Sequence, residues 1–522
     1  MAGAAPAFVY SYPGRTMSFP RTLRRTAMLC ALLPAMASAQ ALTSLTSVYV
    51  TYITRKATAN PTGELKARLD SVDRNLLAAY QFGRTGEIRR LFAKGLTLLG
   101  GKPWSDAADF NASLLLRSDR TVIDSRRPYS IRVEQLYAPA IDLPGALLAH
   151  TTLVSRAASA GAAPQVVKDF GTRNGVSRDL RESPFPLDLD LRDVADGRYV
   201  VVVDVSDSSR TLGTATLPVV IRKGIEDLTS RLDGEAAKAP GALRAEILFP
   251  ADRMRQVNRG QLELRTLDVD KDFANADAVV EAVHAGRDPF AGRTGDIKRH
   301  YALPAADEIM PYHLLVPSSY RAAKPAPLII ALHGLGGTED SFFDAYGKQL
   351  PALAEQRGYI VAAPLGYRVD GGYGWGLGTP PADPTARRLA ELSEDDVMHV
   401  LAEVRKNYNV DPKRIYLMGH SMGAIGTWKI VPKNPAMWAA LGAFSGQGVP
   451  TTVERMRDVP EYVVHGDADP TVNVAGSRTM VAAMKAAGVD VKYVEVPGGN
   501  HGNVVEPNLP GMFDFFDAHR KP

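Results

Sequence analysis

Cysteine is almost absent from this chain of 522 residues, in which Cys30 stands alone. A single thiol cannot close an intramolecular disulfide, so the fold must depend on its buried core. Long hydrophobic runs are scarce as well, and the apolar run 27–36 is too short to span a bilayer. With 45% hydrophobic and 23% charged residues, the composition is that of a globular protein with two or three domains.

The N-terminus has the three-part layout of a secretory signal peptide. Three arginines precede the apolar run, and Ala37-Ser38-Ala39 follows it as a small-residue cleavage site. We therefore expect residues 1–39 to be a signal peptide, with a mature protein that begins at Gln40 and is secreted or periplasmic. An unprocessed N-terminal tail is the alternative interpretation. Cleavage would also remove Cys30, which leaves no thiol chemistry in the mature chain.

An excess of one charge sign is missing once this segment is removed. Residues 1–39 contain four arginines and no acidic residue, so 57 basic and 57 acidic residues remain. This balance gives no indication of a nucleic-acid partner or of a polybasic membrane patch. The sequence also has no phosphate-binding loop, no dinucleotide fingerprint and no histidine pair at metal-ligand spacing. We therefore expect no metal and no cofactor, while the oligomeric state is not indicated.

Changes in hydrophobic spacing divide the part of the chain before residue 296. Residues 40–127 are predicted to be mainly helical, because apolar residues recur at helical spacing over 63–98. Residues 128–222 alternate as short strands with turns and predict a β-sandwich-like domain. Residues 223–295 return to helical spacing and are interpreted as a connector. We find no catalytic motif in 40–290.

Residues 296–522 alternate short apolar runs with helical patterns. Each apolar run ends in a glycine or proline turn, and the helical stretch 393–408 carries one apolar stripe. Strands that are buried on both faces and alternate with helices predict an α/β fold with a doubly wound, mostly parallel sheet. Ligand sites of such sheets lie at the carboxyl ends of the strands, which is where the motifs below occur.

A serine between two glycines stands where a predicted strand ends and a helix begins. Gly419-His420-Ser421-Met422-Gly423 fits the pattern G-x-S-x-G in this strand–turn–helix context. The glycines leave room for a strained turn that holds the serine hydroxyl clear of the sheet. The helix that follows directs backbone N–H groups toward developing negative charge. We therefore predict that Ser421 is a nucleophile.

A serine hydroxyl needs a base to take its proton, and three histidines follow Ser421 in the sequence. His501 lies on a glycine-rich loop after the last predicted strand and is the predicted base. His519 falls in the apparent last helix, and His465 is expected to shape the loop after its own strand. An acid must then orient the base, and the segment HGDADP offers two aspartates for this role.

Asp467 and Asp469 both follow a predicted strand, and whichever does not orient the base is expected to cap the turn.

Four segments resemble the α/β-hydrolase serine esterases of the phospholipase/carboxylesterase, feruloyl-esterase and polyhydroxyalkanoate-depolymerase type, which overlap with prolyl-oligopeptidase-like hydrolases. These segments are ALHGLGGTEDSFF, RIYLMGHSMGAIGTW, HGDADPTV and GGNHG. The resemblance covers about 300–520 and implies Asp469 as the acid. It also implies an oxyanion hole formed by the N–H groups of Leu335 and Met422. Ala424, where many relatives have a glycine, departs from the pattern.

The loop YRVDGGYGWGLGTPP, residues 367–381, also follows a predicted strand. Its aromatic residues Tyr373 and Trp375 are predicted to line the acyl or aromatic part of a substrate. The alternative is a surface loop whose aromatic side chains pack onto the fold.

Taken together, these patterns predict an exported serine hydrolase that cleaves carboxylic esters of a small molecule or a polymer through an acyl-enzyme. One alternative is a peptidase of the prolyl-oligopeptidase type, although the regular blade repeats of a propeller are missing from the sequence. Another is a binding protein with a vestigial hydrolase domain, which the intact order of serine, acid and histidine argues against.

Overall fold

The computed structural model describes residues 45–139, 141, 146–155, 164–207 and 210–522. The predicted signal peptide lies outside the described residues, and no helix within them is long and apolar enough to cross a membrane. The chain forms two compact units, Met1–Arg231 with Arg253–Asp270 and Leu232–Asp252 with Lys271–Pro522. The four predicted domain boundaries stay a prediction.

The α-helices of the described residues precede, separate and follow the sheets. They are α1 (Leu45–Ala59), α2 (Gly63–Gln81), α3 (Thr85–Leu99), α4 (Asp106–Ser113), α5 (Ile225–Lys238), α6 (Gly241–Asn258), α7 (Val269–His284), α8 (Ser341–Asp344), α9 (Gln349–Arg357), α10 (Pro384–Asn407), α11 (Met422–Ile430), α12 (Ala475–Ala486) and α13 (Val505–Ala518). Helices α2 and α3 occupy the region 63–98 that the apolar spacing predicts to be helical, and their buried residues share one core.

The strands form three sheets. They are β1 (Leu114–Arg117), β2 (Val122–Ile123), β3 (Ser130–Gln135), β4 (Leu147–Ser155), β5 (Val166–Val176), β6 (Phe185–Asp188), β7 (Gly197–Ser206), β8 (Thr211–Ile221), β9 (Gly295–Leu303), β10 (Glu308–Val316), β11 (Ala326–Leu332), β12 (Ile360–Pro364), β13 (Val410–His420), β14 (Ala440–Phe444), β15 (Glu461–Gly466) and β16 (Val491–Val496).

Two of the sheets lie in the first unit. A three-stranded sheet has the order β1-β3-β6, and a five-stranded sheet has the order β2-β8-β7-β4-β5. Both sheets contribute to one hydrophobic core, in which Leu116 and Val133 of the smaller sheet join Val201 and Leu217 of the larger one. The strands begin at Leu114, inside the segment predicted to be mainly helical, because the apolar run from this residue is buried as a strand.

The second unit contains an eight-stranded sheet with the order β16-β15-β14-β13-β11-β12-β10-β9. Strands β9 and β10 pair antiparallel, as do β10 and β12, and the other pairs are parallel. Side chains alternate between two cores, since Leu328 and Ile330 face one and Ile329 and Ala331 face the other. This sheet confirms the predicted α/β class, and parallel strands bring their carboxyl ends to one edge.

A fully buried carboxylic acid, Glu461, lies at the opposite, amino-terminal end of β15. The indole N–H of Trp428 donates a hydrogen bond to its Oε2 at 2.7 Å, while its Oε1 has no partner among the described residues. Burial raises the pKa of Glu461 to about 8. The group is therefore neutral in the folded protein at pH 7, whereas a glutamate in an unfolded chain has a pKa of about 4.3.

Glu461→Gln is expected to raise the free energy of unfolding at pH 7 by roughly 1–3 kcal/mol. Between the two pKa values the unfolded chain releases a proton that the folded chain keeps, so this group makes the wild type less stable as pH rises. Glutamine cannot ionise, and the variant should lose this part of the pH dependence. Urea unfolding at pH 5 and pH 7.5 measures the effect, with the exposed Glu454→Gln as control. An unchanged pH dependence in Glu461→Gln would contradict the account.

Candidate active site

Ser421 lies in a strained turn between β13 and α11. Its backbone angles are φ 57° and ψ −117°, outside the regions that ordinary residues favour. The turn needs its glycines, because a Cβ at Gly423 would lie 1.9 Å from the carbonyl oxygen of Leu332. A Cβ at Gly419 would lie 2.3 Å from the carbonyl carbon of Gly423. Neither position has room for a side chain, so strand and helix approach closely under the serine.

The structure brings together the three side chains that were predicted as nucleophile, base and acid. The hydroxyl of Ser421 donates to Nε2 of His501 at 2.8 Å, and Nδ1–H of His501 donates to Oδ2 of Asp469 at 2.7 Å. Ser421 is 9% exposed, so its hydroxyl remains within reach of solvent. The carboxylate of Asp469 is buried, whereas the imidazole of His501 is partly exposed.

The carboxylate of Asp469 accepts hydrogen bonds on both of its oxygens. Oδ1 accepts from the N–H groups of Thr471 and Val472 at 2.7 and 3.0 Å. Oδ2, which faces His501, also lies 3.2 Å from Nε2 of the buried His465. Burial opposes ionisation of Asp469, but the hydrogen bonds from the two histidines outweigh it and hold its pKa well below the usual range. The acid is therefore ionised at every pH where the protein is expected to work.

The acid and the base lie on two loops that meet backbone to backbone. A Cβ at Gly466 would lie 2.2 Å from the carbonyl oxygen of Gly499, and the N–H of Ala468 donates to that oxygen at 3.1 Å. The exposed Asp467 lies in the first of these loops, and its Oδ1 accepts from the N–H of Gly498 at 2.6 Å. The two aspartates thus have different contacts: Asp467 caps a turn, and Asp469 faces the imidazole.

The segment HGLGG follows β11 and lies beside the serine. A Cβ at Gly334 would lie 3.4 Å from Cβ of Ser421, so this loop touches the turn that carries the hydroxyl. The N–H of Gly336 donates to the carbonyl of Val369, which fixes the loop. No backbone acceptor within the described part of the chain takes the N–H of Leu335. Met422 opens helix α11, and first-turn amides have no acceptor inside their own helix.

Tyr373 and Trp375 occupy different environments. Tyr373 is fully buried, and its hydroxyl donates to the carbonyl of His333 at 3.3 Å. Its ring is packed against the backbone of Gly366 and Gly426, where an added Cβ would lie 2.7 Å from ring atoms at either position. Tyr373 therefore supports the loops from inside, which corrects the expectation that it contacts a substrate. The ring of Trp375 is half-buried beside a lysine, and its predicted role stays a prediction.

Sequence reasoning missed several residues that contact this group. His465 was expected only to shape a loop, yet its ring lies against the carboxylate of Asp469. Ser445 and His420 both donate hydrogen bonds to the carbonyl oxygen of His501, at 3.0 and 2.8 Å. The only sequence signal for His420 was its place beside the serine, and Ser445 follows β14 without any motif.

The arrangement is suited to acyl transfer. A histidine that accepts the serine proton makes Oγ nucleophilic, and a buried carboxylate stabilises the imidazolium that forms. Amides beside the serine can stabilise the negative oxygen of a tetrahedral intermediate. Across the described residues, no group of three or more histidine, cysteine, aspartate or glutamate side chains is placed to hold a metal ion.

Comparison with known proteins shows what the part of the chain around this site is similar to. Residues 315–509 match the dienelactone hydrolase family, and this range includes Ser421, Asp469 and His501. A bifunctional acetylxylan esterase/xylanase of Neocallimastix patriciarum is 29% identical over 161 residues, which are 31% of this chain and 22% of that protein. Feruloyl esterase B of Neurospora crassa is 34% identical over 128 residues, which are 24% of this chain and 40% of that protein.

The chain thus spans less than half the length of these two curated relatives. A solved thermostable esterase covers 78% of this chain and 98% of its own, at 17% identity and a TM-score of 0.36. The family match falls in the second unit, on the part of the chain that carries the serine, the acid and the histidine. Over residues 315–509 the chain therefore matches the dienelactone hydrolase family, and part of it is similar to feruloyl esterases.

Proposed function

We propose that this protein is an exported serine hydrolase that cleaves carboxylic esters through an acyl-enzyme. The observation that carries the proposal is the continuous hydrogen-bonded chain from Ser421 through His501 to Asp469, with the serine in a strained turn. Structural histidines are common, but a histidine that joins a turn serine to a buried, ionised carboxylate has the arrangement of nucleophile, base and orienting acid.

In the first half of the reaction, Oγ of Ser421 attacks the acyl carbon while Nε2 of His501 takes the hydroxyl proton. The N–H groups of Leu335 and Met422 stabilise the negative oxygen of the tetrahedral intermediate. His501 then gives its proton to the alcohol oxygen, the ester C–O bond breaks, and the alcohol leaves. In the second half, His501 takes a proton from water, the water oxygen attacks the acyl-enzyme, and the acid leaves as Ser421 regains its proton.

For the substrate class, we propose feruloyl or acetyl esters carried by a polysaccharide. Support comes from the relatives, among which are an acetylxylan esterase and several feruloyl esterases.

A substrate panel tests the proposal against its alternatives. The panel contains p-nitrophenyl acetate, methyl ferulate, acetylated xylan, feruloylated arabinoxylan and an aminoacyl p-nitroanilide, each with the full-length mature protein. We expect hydrolysis of the esters, little release of nitroaniline, and loss of all activity in folded Ser421→Ala. Faster cleavage of the anilide than of every ester would support a peptidase, and a folded protein without any activity would support a binding role.

Export is part of the same proposal and depends on residues 1–39. N-terminal sequencing of protein collected outside the cytoplasm of the native host should find Gln40 as the first residue. Recovery of chains that keep residues 1–39, from the cytoplasm alone, would contradict export.

A further inference from the structure

Three consecutive residues between α8 and α9 have left-handed backbone conformations. Tyr346, Gly347 and Lys348 have φ values of 51°, 62° and 55°. Such conformations are costly for residues with a Cβ and persist where the surrounding structure enforces them, often at functional sites. Glycine suits the centre of this turn, because it adopts a φ of 62° without the steric cost that a Cβ brings. No step of the proposed reaction involves these three residues.

The turn brings the hydroxyl of Tyr346 within hydrogen-bond distance of His420, which directly precedes the nucleophile in the sequence. Oη of Tyr346 lies 2.9 Å from Nδ1 of His420, and the two rings meet edge to face with centroids 5.7 Å apart. On the other side of the ring, Nε2 of His420 lies 2.8 Å from the carbonyl oxygen of His501. A carbonyl oxygen only accepts hydrogen bonds, so Nε2 carries the proton and Nδ1 accepts from the tyrosine hydroxyl.

His420 remains neutral in this arrangement. Burial, together with the neighbouring His501, lowers the pKa of His420 to about 3. A neutral imidazole has two tautomers, and the hydrogen bond made by one nitrogen decides which tautomer is present. The carbonyl of His501 can only accept, so it selects the tautomer that carries its proton on Nε2. The hydroxyl of Tyr346 then donates to the free Nδ1 and holds the ring in the orientation that directs Nε2–H at this carbonyl.

We propose that Tyr346 and His420 are positioning residues for the catalytic base. The hydroxyl of Tyr346 fixes the orientation of the His420 ring, and His420 together with Ser445 holds the carbonyl of His501. Because the same residue carries the imidazole, fixing its backbone directs Nε2 toward Oγ of Ser421. This inference rests on the proposed function, since it assigns a role to residues that act only through His501.

The first test is Tyr346→Phe, which removes the hydroxyl and keeps the ring. We expect kcat on p-nitrophenyl acetate to fall about tenfold, as for the loss of one buried hydrogen bond, with KM unchanged within a factor of two. Tyr416→Phe is the matched control, because its hydroxyl also donates to backbone carbonyls, those of Phe516 and His519 at 2.9 and 2.7 Å, at the C-terminal end of α13 and not on the side chains of the site. The control should lower the melting temperature and leave kcat near the wild-type value.

The second test is a double-mutant cycle. His420→Gln keeps an N–H near the position of Nε2 and should retain more of kcat than His420→Leu. In the His420→Leu background, Tyr346→Phe should have no further effect on kcat, because the tyrosine acts through the histidine. Should the His420→Leu protein fail to fold, the same cycle is run with His420→Gln, where the effect of Tyr346→Phe should be smaller than in the wild type.

The outcomes separate this inference from the function on which it rests. A wild-type kcat for Tyr346→Phe, or an equal loss of kcat in both backgrounds of the cycle, would overturn the positioning role while wild-type ester hydrolysis still supports the esterase. A folded wild type that hydrolyses no ester and does not react with a fluorophosphonate would overturn both. A loss of kcat on Tyr346→Phe that is seen in the wild type and is absent in the His420→Leu background supports the inference.

Discussion

Asp469→Asn is expected to lower kcat on an activated ester by about 10⁴, as the corresponding change does in a serine protease, while the protein stays folded. The carbonyl oxygen of asparagine can still accept from the amides of Thr471 and Val472, as Oδ1 does now. Its NH₂ group would then take the place of Oδ2 and direct an N–H donor at Nδ1 of His501. The imidazole would have to place its proton on Nε2, where it could no longer accept the proton of Ser421.

Asp467→Asn is the matched control for this prediction. Asp467 lies two positions away in the same loop, but its carboxylate accepts from the N–H of Gly498 at the surface. We expect kcat within a few-fold of wild type and a loss of about 0.5–1.5 kcal/mol in stability at most. Steady-state kinetics on p-nitrophenyl acetate, with circular dichroism and urea unfolding for both variants, make the comparison. A nearly active Asp469→Asn beside an inactive Asp467→Asn would reverse the assignment of the acid.

Gly423→Ala is expected to lower kcat by at least about 10², or to prevent soluble expression. Its new Cβ would lie 1.9 Å from the carbonyl oxygen of Leu332, so β11 and α11 would have to move apart. Leu332 ends β11 directly before HGLGG, and a shift of this strand would also displace the amide of Leu335. Overpacking in a dense interior typically costs about 1–3 kcal/mol, so loss of geometry should accompany loss of stability.

The neighbouring change in the opposite direction, Ala424→Gly, is the control. Ala424 is fully buried in α11, and removing its methyl group leaves the turn and the loop untouched. We expect a loss of about 1 kcal/mol from helix propensity and kcat within a few-fold of wild type. Thermal unfolding and kcat are measured on both proteins. A Gly423→Ala protein with wild-type activity and melting temperature would refute the close approach of strand and helix.

The sequence predicts best where local chemistry and chain order coincide. The position of Ser421 follows from a glycine pattern at a strand–helix junction, and that of His501 from a glycine-rich loop after the last predicted strand. The loop HGDADP narrows the acid to Asp467 or Asp469, and only the family resemblance favours Asp469. The parallel sheet was predictable because strands buried on both faces lack the alternation of half-exposed strands. The edge strand β9 escaped prediction, because the charged Arg299 occupies one of its alternating buried positions and hides the apolar alternation in the sequence.

Other residues depend on contacts between distant parts of the chain. Tyr346 and His420 are 74 positions apart, and no local pattern reveals that they share a hydrogen bond. Tyr373 was predicted to line a substrate, with packing onto the fold as the alternative, and Gly366 and Gly426 outside its loop make room for its ring inside the fold. Burial of this kind is a tertiary property, and composition alone misjudges it.

Reaction with a fluorophosphonate, followed by peptide mapping, tests the central claim most directly. The account predicts one adduct in the folded mature protein, on Ser421, and proportional loss of ester hydrolysis as the adduct forms. Folded Ser421→Ala should neither react nor hydrolyse esters, and Asp469→Asn should react much more slowly. An adduct on another residue, or ester hydrolysis that persists in Ser421→Ala, would contradict the account.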